Sequence, residues 1–168
     1  MDKKDIRLLI KDYINNLNNR VFLDKLINEK LISFLQSYNN IGLYLSKDDE
    51  VNLDQTIKYF KDTKNIYVPK IIDDNIIFNK LDNNTIKNKY NIDECINDTT
   101  ININDLDIII VPLRAYDKHY NRVGRGKGYY DKILKLVKYK VGVGYSIQYI
   151  NNINIEEHDI KLDYVITD

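Results

Sequence analysis

Cysteine occurs once, at Cys95. No intrachain disulfide can form, and there is no CxxC or Cys/His cluster to hold a structural zinc. Tryptophan is absent, proline occurs twice and glycine six times. No linker and no internal repeat stands out. Neither sign of charge is in excess: 25 basic residues face 25 acidic ones, for a formal net charge of zero. That excludes a broad electrostatic surface for duplex nucleic acid or anionic membrane, while leaving room for a local basic pocket. Long apolar runs are missing too. The longest, Ile108-Ile109-Ile110-Val111, falls far short of the ~18 residues that cross a bilayer and reads as a buried strand. From Lys3 onward the amino-terminal residues alternate charge and apolarity, unlike the uninterrupted core of a signal peptide. Expected from these absences are a reducing, cytoplasmic setting and no nucleic-acid or membrane partner; a monomer is expected separately, since composition does not reveal the oligomeric state.

What is present suits one compact domain. The 168 residues are 43% hydrophobic and 30% charged, and a chain of that length typically buries roughly 70% of its unfolded surface. Asn, Ile, Lys and Tyr are abundant, which reads as compositional drift, so the Asn runs carry no functional weight. Five of the six glycines fall between 124 and 144. That is the main shift in composition along the chain.

Ile6, Leu9, Ile10, Tyr13, Ile14 and Leu17 recur at spacings of three and four and predict a helix from Lys3 to about Leu17. A second helix carries Leu23, Leu26, Ile27, Leu31 and Leu35. Ile41 to Leu45 suits a strand. Leu53 to Phe60 suits a short helix capped by Asn52. Asn65 to Val68, stopped by Pro69, suits a strand, and Ile76 to Leu81 another, in a hairpin with it. Residues 82–104 are polar and carry no clear period. Asp107 to Val111, ended by Pro112, is the clearest strand. A glycine loop follows, then a helix from Tyr129 to about Val137. Late strands are expected at Val141 to Tyr145 and Tyr164 to Ile166. Strands separated by helices predict an α/β fold: a single three-layer α/β/α domain, residues 1–168, around a mostly parallel open sheet. Ligands in such sheets bind beyond the carboxyl ends of the strands, which is where the glycine loop falls.

Gly124, Gly126 and Gly128 free the backbone for positive φ and close ligand approach, and their N–H groups can turn inward as a nest for anionic oxygens. The following helix adds a favourable dipole. Arg122, Arg125 and Lys127 place three cations in six residues, and Arg grips phosphate oxygens in bidentate fashion. Asp131 at the helix start can hold a magnesium ion beside that phosphate. The loop is neither a Walker A motif nor a dinucleotide fingerprint. Taken alone, it fits a tight turn with solvated charges as well as an anion site.

The stretch Asp107-Ile-Ile-Ile-Val-Pro112, then Tyr116-Asp117, then Arg122-Val-Gly-Arg-Gly-Lys-Gly-Tyr-Tyr-Asp131 resembles the signature of the 5-formyltetrahydrofolate cyclo-ligase family. Lys3 and Arg7 match its Lys-x-x-Leu-Arg pattern, with Ile6 for Leu. Leu45 and Glu50 match a strand-then-acid element. Gly144-Tyr145-Ser146-Ile147-Gln148 and His158-Asp159-Ile-Lys-Leu-Asp163 match two further motifs. The resemblance implies an ATP- and Mg-dependent enzyme that converts 5-formyltetrahydrofolate to 5,10-methenyltetrahydrofolate, with 5-formyltetrahydrofolate and ATP as its partners. ATP would be held by Lys3, Lys4, Arg7, Arg122, Gly124, Arg125, Gly126, Lys127, Gly128, Tyr129 and Tyr130. Leu45 and Glu50 would meet the folate, with Arg125, Gly126, Lys127, Gly128 and Tyr129 forming another wall. Arg125, Lys127 and Tyr129 would be catalytic, and Asp131 and Asp159 would hold Mg2+.

The residues have blander readings as well. Lys3 and Arg7 share one helical face, where most basic pairs are simply solvated. Asp131 would favour a helix start by ~0.5 kcal/mol without any metal. Glu50 sits beside Asp48 and Asp49 as surface charge. Tyr116, Tyr129 and Tyr130 can pack on flat rings, although most of the 14 tyrosines must be ordinary. His119 reads as solvated, His158 as a turn former, and Cys95 as inert. The chain departs from the family at Leu113 and Arg114 where a Gly usually follows the proline, at Glu94-Cys95 for a Glu-Pro element, and at Leu53 for a Thr. These departures touch the folate side and keep open a non-catalytic nucleotide- or folate-binding module that retains the phosphate loop. A different small kinase or ligase using the same clamp is a third reading.

Overall fold

The computed structural model describes residues 1–82 and 97–168 and, as backbone only, the short strands at 85–87 and 93–95. Seven strands form one sheet in the order β11-β10-β7-β1-β2-β3-β6. They are β1 (Asn40–Gly42), β2 (Asn65–Ile72), β3 (Asn75–Lys80), β6 (Thr100–Ile101), β7 (Ile108–Pro112), β10 (Lys140–Val143) and β11 (Tyr164–Ile166). The first five in that order run parallel; β3 and β6 are antiparallel additions at one edge. Two small antiparallel pairs stand apart: β4 (Thr85–Lys87) with β5 (Asp93–Cys95), and β8 (Ala115–Tyr116) with β9 (Arg122–Val123). The helices are α1 (Lys3–Asn15), α2 (Arg20–Phe34), α3 (Asp54–Phe60) and α4 (Tyr129–Leu134).

The sheet is buried on both faces, which is why β7 reads as an unbroken apolar run. Ile108 and Ile110 join the core under α1, α2 and α3, with Ile6, Ile10, Ile14, Ile27, Leu31 and Phe60. Ile109 and Val111 face the other way, to a core with Phe78, Ile133, Leu134 and Leu162. The chain therefore has a mixed α/β architecture, a mostly parallel sheet with helices on its two faces. Gly142 of β10 lies where a methyl group would stand 2.6 Å from the end of Leu162 and 2.7 Å from the end of Leu113, so a side chain there would force these buried leucines to shift.

The helices begin and end for identifiable reasons. Asp2 caps α1, its carboxylate accepting from the Asp5 amide at 2.8 Å. Asn52 turns the chain into α3, its Oδ1 accepting from the Asp54 amide at 2.8 Å, although Leu53 is the cap residue itself. The second helix ends at Phe34 and finishes as a 3-10 turn through Ser37.

Some boundaries differ from the sequence expectation. β2 does not stop at Pro69 but runs to Ile72. Its pairing with β1 has already ended at Tyr67, so the missing proline N–H costs nothing on that side. β2 turns into β3 through Asp73 and Asp74, whose φ values of 49° and 60° match the two-residue turn favoured by strand twist. The helix expected over 129–137 is only Tyr129–Leu134, with Leu136 and Val137 in tight turns after it. The Asn residues are not all drift. Asn28, 2% exposed, donates to the Asp24 and Asn52 carbonyls and accepts from the Thr56 amide and hydroxyl, joining α2 to α3. Asn79 is equally buried and accepts from the Thr100 hydroxyl at 2.6 Å. The side chains of Glu94 and Cys95 lie outside the described residues.

Asp117 ties the segment between β8 and β9 to the rest of the fold. Its buried carboxylate accepts from the amides of His119 (2.9 Å), Asn121 (3.0 Å) and Ile153 (3.2 Å) and from the Asn121 side chain (2.9 Å). Burial alone would raise its pKa, but these donors outweigh burial and hold the carboxyl below its usual value. Asp117→Asn is therefore expected to cost about 2–3 kcal/mol at neutral pH. Because the folded pKa is depressed, this stabilisation is present above the unfolded value of ~3.9 and is lost as pH falls through the lower folded value. Denaturant midpoints of wild type and variant should converge in acid; a gap that stays constant with pH would count against the assignment.

Candidate active site

The strand order reverses between β1 and β7: β2 follows on one side of β1, and β10 and β11 follow on the far side of β7. A crevice opens where the chain turns in opposite directions after two adjacent parallel strands. A cavity of ≈ 520 Å³ lies there. Tyr44, Leu45, Lys47 and Glu50 line it after β1, and Pro112, Leu113 and Arg114 at and after the end of β7. The glycine loop from Gly124 to Asp131 forms another wall, the far half of β2 a third, and Lys3 and Arg7 of α1 close it. Eight basic side chains and four acidic ones line this cavity, in a chain whose net charge is zero. Clustering, invisible in the net charge, makes it an anion site.

Lys3 and the four arginines of the cavity are held from neighbouring elements. Lys3 pairs with Asp159 at 2.5 Å and with Glu156 at 3.4 Å. Arg7 donates from Nε to the Gly124 carbonyl at 2.7 Å, fixing α1 to the glycine loop. Arg122 is almost fully buried. It donates to the Pro112 carbonyl (3.2 Å) and Asp131 Oδ1 (2.9 Å) and lies over the Tyr130 ring, with its Nε buried and unpartnered. Arg125 donates from Nε to Glu50 at 2.8 Å and from Nη2 to Asp49. Arg20 holds the loop before Val51 by donating to the Asp48 carbonyl (2.5 Å), the Glu50 carbonyl (3.3 Å) and the Tyr145 hydroxyl (3.4 Å).

The backbone of the loop needs glycine at two places. Gly126 has φ +97°, and a Cβ there would press on the Arg7 guanidinium at 3.3 Å. Gly128 has φ +71° and caps α4 in the left-handed region, facing open space. With only six residues, α4 offers a weak dipole, so side-chain cations carry more of the anion binding than the sequence suggested.

Titration behaviour follows the packing. Burial opposes ionisation of Asp159, yet the Lys3 hydrogen bond and charge, with the Glu156 amide, hold its carboxyl below the usual range. Burial is likewise outweighed at Asp49, first by Arg114 and then by Arg125. Burial pushes the Tyr130 phenol up, Glu50 adds to the rise, and Arg122 offsets part of it, so Tyr130 stays protonated. Tyr44 is raised for the same first two reasons and donates to the Val51 carbonyl at 3.0 Å.

The structure gathers nearly all residues the sequence singled out. Lys3, Arg7, Leu45, Glu50, Arg122, Gly124 through Asp131 and Asp159 share the one cavity. Lys4 does not join them; one step round the helix from Lys3, it is exposed and lines nothing. Tyr116 is also elsewhere, packed edge-on against Tyr149 at 5.7 Å. His119 is exposed, as expected. His158 reaches the rim, with Nε2 at 3.3 Å from Glu156. Tyr44, Lys47, Lys70 and the Asp49–Arg114 pair were not legible as site residues. Asp49 looked like one of three surface acids, and Arg114 like a mere departure.

Among the described residues no three His, Cys, Asp or Glu side chains cluster as a protein-built metal cage. Asp131 and Asp159 do face the same cavity, each with one oxygen engaged by a cation and the other outside those bonds. That donor set fits an ion taking most of its ligands from water and phosphate, as magnesium does, and not a structural zinc.

Fold and site together define a small α/β protein with a basic crevice at its topological switch point. The 5-formyltetrahydrofolate cyclo-ligase family model matches residues 3–168. The 5-formyltetrahydrofolate cyclo-ligase of Mycoplasma genitalium is 35% identical over 177 residues, covering 99% of this chain and 98% of the relative. The mouse (Mus musculus) enzyme of that name is 28% identical over 98% of this chain and 92% of its own. Two solved 5,10-methenyltetrahydrofolate synthetases, each 30% identical, superpose along the whole fold. The Mycoplasma pneumoniae protein gives a TM-score of 0.83, covering 100% of this chain and 99% of its own. The Aquifex aeolicus protein gives 0.84, covering 99% and 90%. The chain belongs to the 5-formyltetrahydrofolate cyclo-ligase family, a family of enzymes.

The loop geometry makes its own prediction. Gly126→Ala should lower the unfolding free energy by about 1–3 kcal/mol, through a strained φ and the displaced Arg7. Gly128→Ala meets no neighbour and should cost about 1 kcal/mol. Urea denaturation of both variants checks this; a larger loss at 128 than at 126 would refute the role given to the Arg7 contact.

Proposed function

We propose that this chain converts 5-formyltetrahydrofolate to 5,10-methenyltetrahydrofolate, using ATP and Mg2+ and releasing ADP and phosphate. The observation that carries the reading is the clustering of eight cations and two metal-competent carboxylates in one crevice of ≈ 520 Å³. Family membership supplies the identity of the folate.

In this reading Lys3, Arg7 and Arg122 bind the triphosphate against the glycine loop, with Lys127 and Tyr129 at its tip. Asp131 and Asp159 hold Mg2+, which when bound neutralises phosphate charge and orients the nucleotide. The folate lies toward Leu45 and Glu50, whose carboxylate suits the N–H donors of the pterin and N10 region. The formyl oxygen attacks the γ-phosphorus, and the bond to ADP breaks. The imidate-like phosphate that forms has a far better leaving group than oxide. N10 then attacks the same carbon and loses its proton, and phosphate departs as the ring closes. Arg125 offsets charge that develops on the transferred phosphoryl group. Elsewhere the side chains align two substrates and neutralise charge, and no covalent protein nucleophile is required. Consistent with that, both histidines are exposed and neither pairs with a Ser or Cys among the described residues. A monomer in the cytoplasm is part of the same proposal.

Purified protein with Mg-ATP and 5-formyltetrahydrofolate should produce the methenyl chromophore and one ADP for each turnover. Arg125→Ala and Asp131→Ala should each lower turnover about a thousandfold or more while leaving the fold intact. Nucleotide binding without product would instead favour a binding module that kept the phosphate loop. Wild-type rates in both variants would remove these residues from the mechanism.

A further inference from the structure

Arg114 has no part in the reaction just described, yet it is one of the most firmly held cations of the cavity. It leaves the sheet two residues after the end of β7. Its amide donates to the Val123 carbonyl at 2.7 Å, and its carbonyl accepts from the buried Gln148 side chain at 3.0 Å. The backbone that carries the guanidinium is therefore fixed by the β8–β9 pair and the 3-10 turn Ser146–Gln148. The side chain itself is 9% exposed. Its guanidinium pairs with the Asp49 carboxylate and also donates to the Asp49 carbonyl at 3.4 Å.

Asp49 is the link. One of its oxygens takes Arg114 and the other takes Arg125. Arg125 in turn donates to Glu50, whose side chain is only 8% exposed. Four charges thus alternate from the end of β7 to the tip of the glycine loop: Arg114, Asp49, Arg125, Glu50. The four sum to zero. Without Arg114, Glu50 in the cavity wall and Asp49 just behind it would face one guanidinium beside a cavity proposed to receive anions. An uncompensated negative charge at low dielectric would then oppose binding, and Arg125 would be drawn toward two acids with nothing drawing either acid back.

We propose that Arg114 is a positioning residue: through Asp49 it anchors Arg125 in the cavity wall and cancels the extra negative charge that Asp49 places there. The inference rests on the proposed role of Arg125. Arg114 acts at one remove, so losing it should affect binding and turnover in distinguishable ways. KM reports the uncompensated charge, and kcat reports the aim of Arg125.

The test is a double-mutant cycle on the full chain with Arg114→Leu, Asp49→Asn and the pair, together with Arg114→Lys. Steady-state kinetics and the Kd for ATP are read for each. Arg114→Leu should raise KM and Kd about tenfold and lower kcat by a similar factor. Arg114→Lys, which keeps the charge but not the fork, should restore Kd to within about threefold while kcat recovers less. Adding Asp49→Asn to Arg114→Leu should return KM and Kd toward wild type, because the orphaned carboxylate is gone. Purely structural damage would not be repaired by removing a second partner. Unchanged KM and Kd in Arg114→Leu, or strictly additive effects in the cycle, would overturn the proposal. Should the Leu variant fail to fold, Asp49→Asn alone decides. Lowered kcat without raised KM supports the link, and unchanged kcat refutes it. A wild type that binds ATP but makes no methenyl product would sink the functional reading, while the Kd arm of the cycle would still judge Arg114.

Discussion

Positive charge can be concentrated in a half-enclosed cavity only if the charges withdrawn from water are compensated while the cavity is empty. Isolated ions are costly in a low-dielectric setting, and pairing is how a fold tolerates them. Here the compensation is local. Lys3 has Asp159, Arg122 has Asp131, and Arg125 has Glu50 and Asp49. Two of these links span long stretches of sequence, 156 positions for Lys3 and Asp159 and 75 and 76 for Arg125 with Glu50 and Asp49, while Arg122 and Asp131 lie 9 apart. The same contacts that make the site electrostatically possible therefore bring the amino terminus, the loop after β1, the glycine loop and the carboxy-terminal segment to one place. Helix α1 shows the economy of this. Its buried stripe of Ile6, Ile10 and Ile14 docks it on the sheet, and its flanking Lys3 and Arg7 then have no other place to reach.

The core was readable because both faces of the sheet are buried. Period and burial coincide in Ile6, Ile10 and Ile14, and the apolar run at 108–111 alternates between two cores as a central strand must. The glycine loop was readable because glycine and cations at that density have few other uses. Other features were obscured by chemistry the period does not encode. Pro69 stops a strand only when its N–H is required, and β1 ends before it is. Asn28 and Asn79 vanished into an Asn-rich composition, although burial turns an amide into a specific clamp. Helix α4 is shorter than its apolar pattern because the chain must turn from Leu134 toward β10. Asp49 was hidden most completely. Next to Asp48 and Glu50 its type carries no information; only the guanidiniums on either side distinguish it.

The pairing also says what binding must do. A phosphate that takes Lys3 or Arg122 competes with the carboxylate already there, so association is an exchange of anions, not a simple capture. Asp159 and Asp131 would then be left as half-buried negative charges beside a polyanion. That state is unfavourable unless a cation comes with the phosphate. In the proposed reaction, magnesium brought by the nucleotide would answer the requirement, because it binds phosphate oxygens and few protein carboxylates at once. In this view the carboxylates serve as placeholders for the cations before binding and as metal ligands after it.

The Arg125 branch differs, and the difference bears on its role. Glu50 and Asp49 are not among the proposed metal ligands, and Arg114 holds Asp49 from behind. Arg125 can therefore meet the charge that develops during transfer without leaving a carboxylate stranded, since one of its two partners is already balanced from behind. An arginine tethered in this way is pre-organised: its guanidinium is held in the wall before substrate arrives, and little reorganisation remains for the reaction step. In the proposed mechanism, the glycine loop thus relies, for the position of Arg125, on the Arg114–Asp49 pair across the cavity.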